Sequence, residues 1–142
     1  MSVCRRLQRP LSLLFFDLNG FKQINDRFDH VEGDRALLTF ADLLRQTLRE
    51  SDIIGRLGGD EFVALLVDSS TANTTDVINR LRAAVATYNL EARRGYDIRF
   101  SVGQVLYEPD HHAAFAFLLA EADAAMYMEK QSVKRQTLSR AG

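Results

Sequence analysis

The stretch Arg56-Leu57-Gly58-Gly59-Asp60-Glu61-Phe62 decides how this chain is read. It lies between an apolar run ending in Ile53-Ile54 and a second run, Phe62-Val63-Ala64-Leu65-Leu66-Val67. Two glycines in that place predict the tip of a β-hairpin, because glycine takes the positive φ that tight turns demand. Two carboxylates, Asp60 and Glu61, open the second strand and should point to opposite faces. An earlier apolar run, Leu11-Ser12-Leu13-Leu14-Phe15-Phe16, also ends in an acid, Asp17, followed by Asn19-Gly20. If the two strands are neighbours, Asp17, Asp60 and Glu61 converge at one end of a sheet. Like charges held that close repel unless a cation sits among them, and hard carboxylate oxygens suit Mg²⁺, or Mn²⁺ in its place.

Composition narrows the alternatives. A chain of 142 residues fits one domain with a real core. A formal charge of −1 and a pI near 6.3 give no electrostatic footprint for nucleic acid or an anionic membrane. The single cysteine, Cys4, permits no internal disulfide and suits a reducing, cytoplasmic setting. His30, His111 and His112 lack further soft ligands and are expected on the surface or in loops. Arg5, Arg6 and Arg9 precede an apolar run only six residues long, too short for a signal peptide or a transmembrane helix.

Taken in order, residues 1–10 are expected to be a flexible basic arm. Leu11 to Phe16 reads as a strand buried on both faces. Phe21, Ile24 and Phe28 recur at helical spacing, and Asp29 to Gly33 is expected to be the loop that ends this short helix. From Asp34, Leu37, Phe40, Ala41, Leu44 and Leu48 form the stripe of an amphipathic helix running to about Arg49. After the hairpin, Ser69 to Thr75 is a polar loop whose Thr74 or Thr75 could cap the next helix, striped by Val77, Ile78, Leu81, Val85 and Tyr88. Arg93-Arg94-Gly95 is turn-prone. Ile98 to Tyr107 is a strand, with Gly103 a place where another backbone could come close, and Pro109 stops it. Residues 113–130 make an alanine-rich helix with Phe117, Leu118, Ala122, Ala125 and Met126 inward. Residues 131–142 are expected to be a polar tail, disordered in part. The order strand, helix, helix, strand, strand, helix, strand, helix predicts an α+β domain over residues 11–130, with a mainly antiparallel central sheet flanked by helices.

Gly58-Gly59-Asp60-Glu61-Phe62 resembles the signature of GGDEF domains, the diguanylate cyclases that condense two GTP into cyclic di-GMP. Phe16-Asp17-Leu18-Asn19-Gly20-Phe21-Lys22-Gln23-Ile24-Asn25-Asp26 and Gly33-Asp34 are similar to that family's first block at the expected spacing. The resemblance implies a palm-like, ferredoxin-like nucleotidyl cyclase fold and a homodimer, since each half-site binds one GTP. It assigns Asp17, the Leu18 carbonyl, Asp60 and Glu61 to metal, and places Asp60, Glu61 and Lys22 at catalysis. Asn25 and Asp34 fall on the positions that read guanine, although Asp34 taken alone would be a helix cap after Gly33. Gly58 and Gly59 let a phosphate chain approach, and Lys130 and Lys134 lie one helical turn apart for the triphosphate. Arg49-Glu50-Ser51-Asp52 matches an inhibitory site for the product, to which Arg80 could add a second arginine.

The chain also departs from the family pattern. No initial helix with an Asp-x-Leu-Thr-Gly-Leu-x-Asn-Arg motif precedes Leu11, so the chain reads as trimmed at its amino end. Val133-Lys134-Arg135 stands where relatives carry Gly-Arg-Asn, and lysine lacks arginine's bidentate fork. Two functional readings follow: a diguanylate cyclase restrained by its own product, or a weakly active or inactive module that binds cyclic di-GMP.

Overall fold

The computed structural model describes residues 10–108 and 114–141. Its elements are β1 (Leu11–Leu18), α1 (Phe21–Arg27), α2 (His30–Thr47), β2 (Ile53–Arg56), β3 (Glu61–Val67), α3 (Thr71–Ala92), β4 (Phe100–Leu106) and α4 (Phe115–Ala141). The four strands pair antiparallel throughout, in the order β2-β3-β1-β4. This is the α+β architecture that the order of apolar segments predicts. The basic arm through Arg9, Cys4, Pro109, His111 and His112 lie outside the described residues. His30 is exposed at the first position of α2.

β1 is the hub, buried at all eight positions because a strand lies on each side of it and helices cover both faces. Alternation sends Leu14, Phe16 and Leu18 to one face and Leu13, Phe15 and Asp17 to the other. The first face meets α1, α2 and α3 in the larger core, where Phe16, Phe40, Phe62 and Phe100 meet with ring centroids 5.4–5.8 Å apart. The second face meets Leu118, Ala122 and Met126 of α4. Gly103 sits on that face opposite Phe15. A Cβ there would lie 2.2 Å from the Ala122 carbonyl oxygen and 2.4 Å from the Met126 nitrogen, so only glycine lets α4 press onto β4 as it does. The close backbone approach expected at Gly103 is therefore real. Farther along α4, Glu129 pairs with Arg82 of α3 at 2.5 Å and accepts the N–H of Val102 on the free edge of β4.

Several local expectations are corrected. α2 begins at His30, so no loop spans Asp29 to Gly33, and Asp34 lies within the helix instead of capping it. The cap is Asp29, whose carboxylate accepts from the Glu32 N–H at 2.8 Å. α3 is capped by Ser70, which accepts from Asn73 at 3.3 Å; Thr74 is buried one turn in, its hydroxyl donating to the Ser70 carbonyl. Phe117 is 63% exposed, not inward, since it flanks the stripe made by Leu118, Ala122 and Met126. The polar tail continues α4 as far as Ala141. Neither Gly58 nor Gly59 has positive φ, because a four-residue connection from Leu57 to Asp60 leaves the hairpin without a tight two-residue turn.

Asp29 adopts φ 152°, ψ 177°, a region that glycine alone enters without strain. Such strain costs about 1–3 kcal/mol, whereas exchanging an aspartate cap for glycine costs only a few tenths, plus ~0.5–1 kcal/mol for the freer unfolded chain. Asp29→Gly should therefore stabilise the domain by about 1 kcal/mol, read as a rise of roughly 3–5 °C in the thermal midpoint. A fall in the midpoint would show that the cap outweighs the strain.

Candidate active site

The carboxyl ends of the central strand and the start of its neighbours are tied together by backbone. The Leu18 N–H donates to the Asp60 carbonyl at 3.1 Å, and the Asn19 N–H to the Arg99 carbonyl at 2.8 Å. Ser101 adds a hydroxyl bond to Asn19 Oδ1 at 3.0 Å. Gly20 then turns with φ 71° into α1, the left-handed geometry that explains a glycine there. The consequence is that Asp17 is held inside the sheet end, 7% exposed, with Asp60 against it.

Two carboxylates this close cannot both ionise at no cost. The Asp60 carboxyl is pushed up to about 6, first by burial and then by its hydrogen bond to Asp17 and the repulsion between them. Lys130 reaches in from α4 and puts its ammonium 2.5 Å from Asp17 Oδ2. Asp17 Oδ1 is buried with no donor among the described residues. An orphaned hard oxygen beside a second carboxylate is a donor set that a divalent cation satisfies, so the residues present fit Mg²⁺ or Mn²⁺. Glu61 faces Asp17 in the strand register, yet its carboxylate folds back over the turn: a Cβ on Gly58 would sit 3.0 Å from Glu61 Oε1. Three acids close enough to hold a metal are not assembled among the described residues; Asp17 and Asp60 meet, and Glu61 stands aside.

The glycines of the turn differ in what they permit. Gly58 leaves room for Glu61, whereas a side chain at Gly59 would touch no protein atom within 4 Å. No internal contact demands glycine at 59, which leaves bare backbone facing outward. Arg56 brackets both, donating to the Gly58 carbonyl at 3.1 Å and the Gly59 carbonyl at 2.7 Å. Beside this turn opens a cavity of about 530 Å³ lined by Leu18, Gly20, Lys22, Asp60, Lys130 and Lys134, with Arg99 on its wall. Lys22 and Lys134 are exposed, as phosphate ligands would have to be.

Asn25 and Asp34 come from different helices and are brought together by Gly33. A Cβ on Gly33 would collide with Asn25 Oδ1 at 1.8 Å, so the Asn25 amide lies over the helix one residue before Asp34. Asp34, exposed, borders a second cavity of about 450 Å³ floored by Leu37, Ala41 and Phe62. Behind it, Glu32 accepts from Tyr96 at 2.7 Å and Arg94 at 3.1 Å, and the Tyr96 hydroxyl above all holds its carboxyl below the usual range. That clasp ties the start of α2 to the connection between α3 and β4. No local sequence pattern marks it, because its members are more than 60 residues apart.

Arg49, Asp52 and Arg80 share a groove of about 590 Å³ at the far end of β3 from Glu61. The Asp52 carboxylate faces the protein, its side chain 1% exposed, accepting from the Arg49 and Val67 N–H groups at 3.0 and 3.3 Å and from the Arg49 guanidinium at 3.3 Å. Arg49 in turn donates to the Val67 carbonyl at 2.5 Å and the Ser69 hydroxyl at 2.9 Å, while its side chain stays 54% exposed. The arginines are thus available from solvent and the aspartate is not.

Comparisons with known proteins agree with this geometry. The family model described as diguanylate cyclase, GGDEF domain, matches residues 1–136. The diguanylate cyclase TpbB of Pseudomonas aeruginosa is 39% identical over 129 residues, 89% of this chain but only 29% of that protein. The solved GGDEF domain of that TpbB superposes with a TM-score of 0.83 at 36% identity, covering 92% of this chain and 77% of the other. A microbial GGDEF domain whose structure concerns its interaction with cyclic di-GMP matches with a TM-score of 0.76 at 31% identity, over 92% of this chain and 79% of that one. No helix among the described residues is long and apolar enough to cross a membrane. Because the family model spans nearly the whole chain and the fold follows its solved relatives, the chain belongs to the GGDEF domain family of diguanylate cyclases.

Proposed function

We propose that this domain condenses two GTP into cyclic di-GMP, releasing pyrophosphate, as a homodimer in which two half-sites face each other. The observation that carries this is the buried meeting of Asp17 with Asp60 beside a cavity ringed by Lys22, Lys130 and Lys134. When bound by Asp17, the Leu18 carbonyl and Asp60, with Glu61 turned in from its place over Gly58, a divalent cation would neutralise triphosphate charge and polarise the α-phosphate under attack. The chain's own residues orient and select. Lys22, Lys130 and Lys134 hold the phosphates, and the outward backbone at Gly59 admits them closely. Asn25 and Asp34 read the guanine edge, the carboxylate accepting from N1–H and N2–H. Each protomer positions one nucleotide, so the 3′-hydroxyl of one meets the α-phosphate of the other only when two copies align.

Product binding is proposed at the groove of Arg49, Asp52 and Arg80. Arg49 and Arg80 would meet guanine, and Asp52 would aim Arg49 unless its pairing opens to accept from the base. β3 is seven residues long, so this groove lies roughly 20 Å from Glu61, and inhibition must work by immobilising domains or straining the hairpin. A second reading, a module that binds cyclic di-GMP and turns over poorly, is favoured by one observation: Lys134 lines the phosphate cavity where relatives carry arginine.

Incubation with GTP and Mg²⁺, followed by chromatography of the nucleotides, separates the two readings. Wild type should form cyclic di-GMP and Asp17→Ala should form none while keeping its thermal midpoint; undiminished product from that variant would sink the metal site. An unpaired polar group in a binding site costs about 1–3 kcal/mol, so Asp34→Ala should lose on the order of ten-fold in GTP affinity and narrow the preference over ATP. A fixed GTP to ATP ratio would leave Asp34 without a role in base choice. Calorimetric titration of cyclic di-GMP into wild type and Arg49→Ala should show most of the affinity gone in the variant, since charge-assisted bonds contribute about 1.5–3 kcal/mol each. Equal binding by both proteins, or by neither, refutes the inhibitory site.

A further inference from the structure

The cations around the phosphate cavity are not equivalent. The Lys130 ammonium already lies on Asp17, 2.5 Å from Oδ2, so it divides its charge between that carboxylate and the cavity. Lys22 and Lys134 are solvated point charges on flexible stems. Arg99, the residue just before β4, carries the guanidinium of the described cavity wall. Its root is fixed: its carbonyl accepts from the Asn19 N–H at 2.8 Å, and its neighbour Phe100 pairs with Leu18. Its head is not. The side chain is 68% exposed, and its ion-pair partner, Asp97, is 3.6 Å away and itself 52% exposed. A pair so long and so wet holds the guanidinium weakly. Arg99 also borders a smaller cavity of about 250 Å³ shared with Asp97, so it can swing between its aspartate and the phosphate mouth.

We propose that Arg99 grips the triphosphate of GTP, supplying the two-pronged guanidinium contact that Lys134 cannot make. This rests on reading the cavity as the GTP site. Phosphate oxygens match the planar fork bidentately, which fixes direction as well as charge. A fork rooted at the start of β4 approaches from the sheet side, opposite the lysines of α4. The triphosphate is then held between the two elements, and Asn19, bound to both Arg99 and Ser101, fixes the start of β4 against the end of β1.

The test uses the whole chain with Mg²⁺ and a GTP analogue carrying a methylene bridge between the α- and β-phosphates, so that no turnover intervenes. Arg99→Ala should weaken analogue binding on the order of ten-fold, leave the affinity for GMP unchanged, and keep the thermal midpoint of wild type. Arg99→Lys should fall between, and Lys134→Arg added to Arg99→Ala should recover part of the loss. Analogue binding by Arg99→Ala as tight as wild type overturns the proposal. So does an equal fall for analogue and GMP, since that would mean Arg99 shapes the fold and not the phosphate site. If wild type itself binds no analogue, the cyclase reading fails first and this inference with it.

Discussion

The close approach of α4 to the sheet is the constraint on which the rest depends. It exists because Gly103 has no side chain, leaving the Ala122 carbonyl where a Cβ would otherwise stand. Once α4 is that near, Leu118, Ala122 and Met126 close over Leu13 and Phe15, and the helix runs on toward the end of β1. Lys130 then arrives at Asp17 by geometry and not by any local attraction. Helix, sheet and site charge are one packing problem, and enlarging residue 103 would disturb all three.

Burial of Asp17 follows from the same arrangement. A strand covered on both faces places its last odd-numbered side chain in a poor solvent for charge, where the cost of an unpaired carboxylate is high. The protein meets that cost in part with Lys130, and the remainder shows in Asp60, whose carboxyl is pushed up to about 6 and so holds its proton longer than a free acid as pH rises. An oxygen still lacks a donor, and this shortfall gives a cation its opening.

Much of this was legible in the chain itself, for definable reasons. Apolar runs marked every strand, and an acid ending one of them together with acids opening another pointed to the sheet end where Asp17 and Asp60 meet. Gly33 was misleading, because a glycine between two polar residues reads as a helix breaker; here it lies inside α2 as clearance for Asn25. Gly58 and Gly59 marked the hairpin correctly, but their purpose is room for Glu61 and open backbone, not positive φ. The tail hid its helix because its polar residues carry no apolar stripe. Arg99, Glu32 with Tyr96, and Glu129 with Arg82 were invisible, since each acts through partners brought near only by the tertiary fold.

Glu129 has a further effect on how copies of this domain can meet. An open four-stranded sheet offers two edges to which another strand could add. On β4 the Glu129 carboxylate occupies the Val102 N–H, with Arg82 pinned behind it over the Phe100 ring at 5.1 Å. The opposite edge, β2, is only four residues long and includes Gly55. Neither rim is a good template for sheet extension, so the domain resists strand-to-strand aggregation.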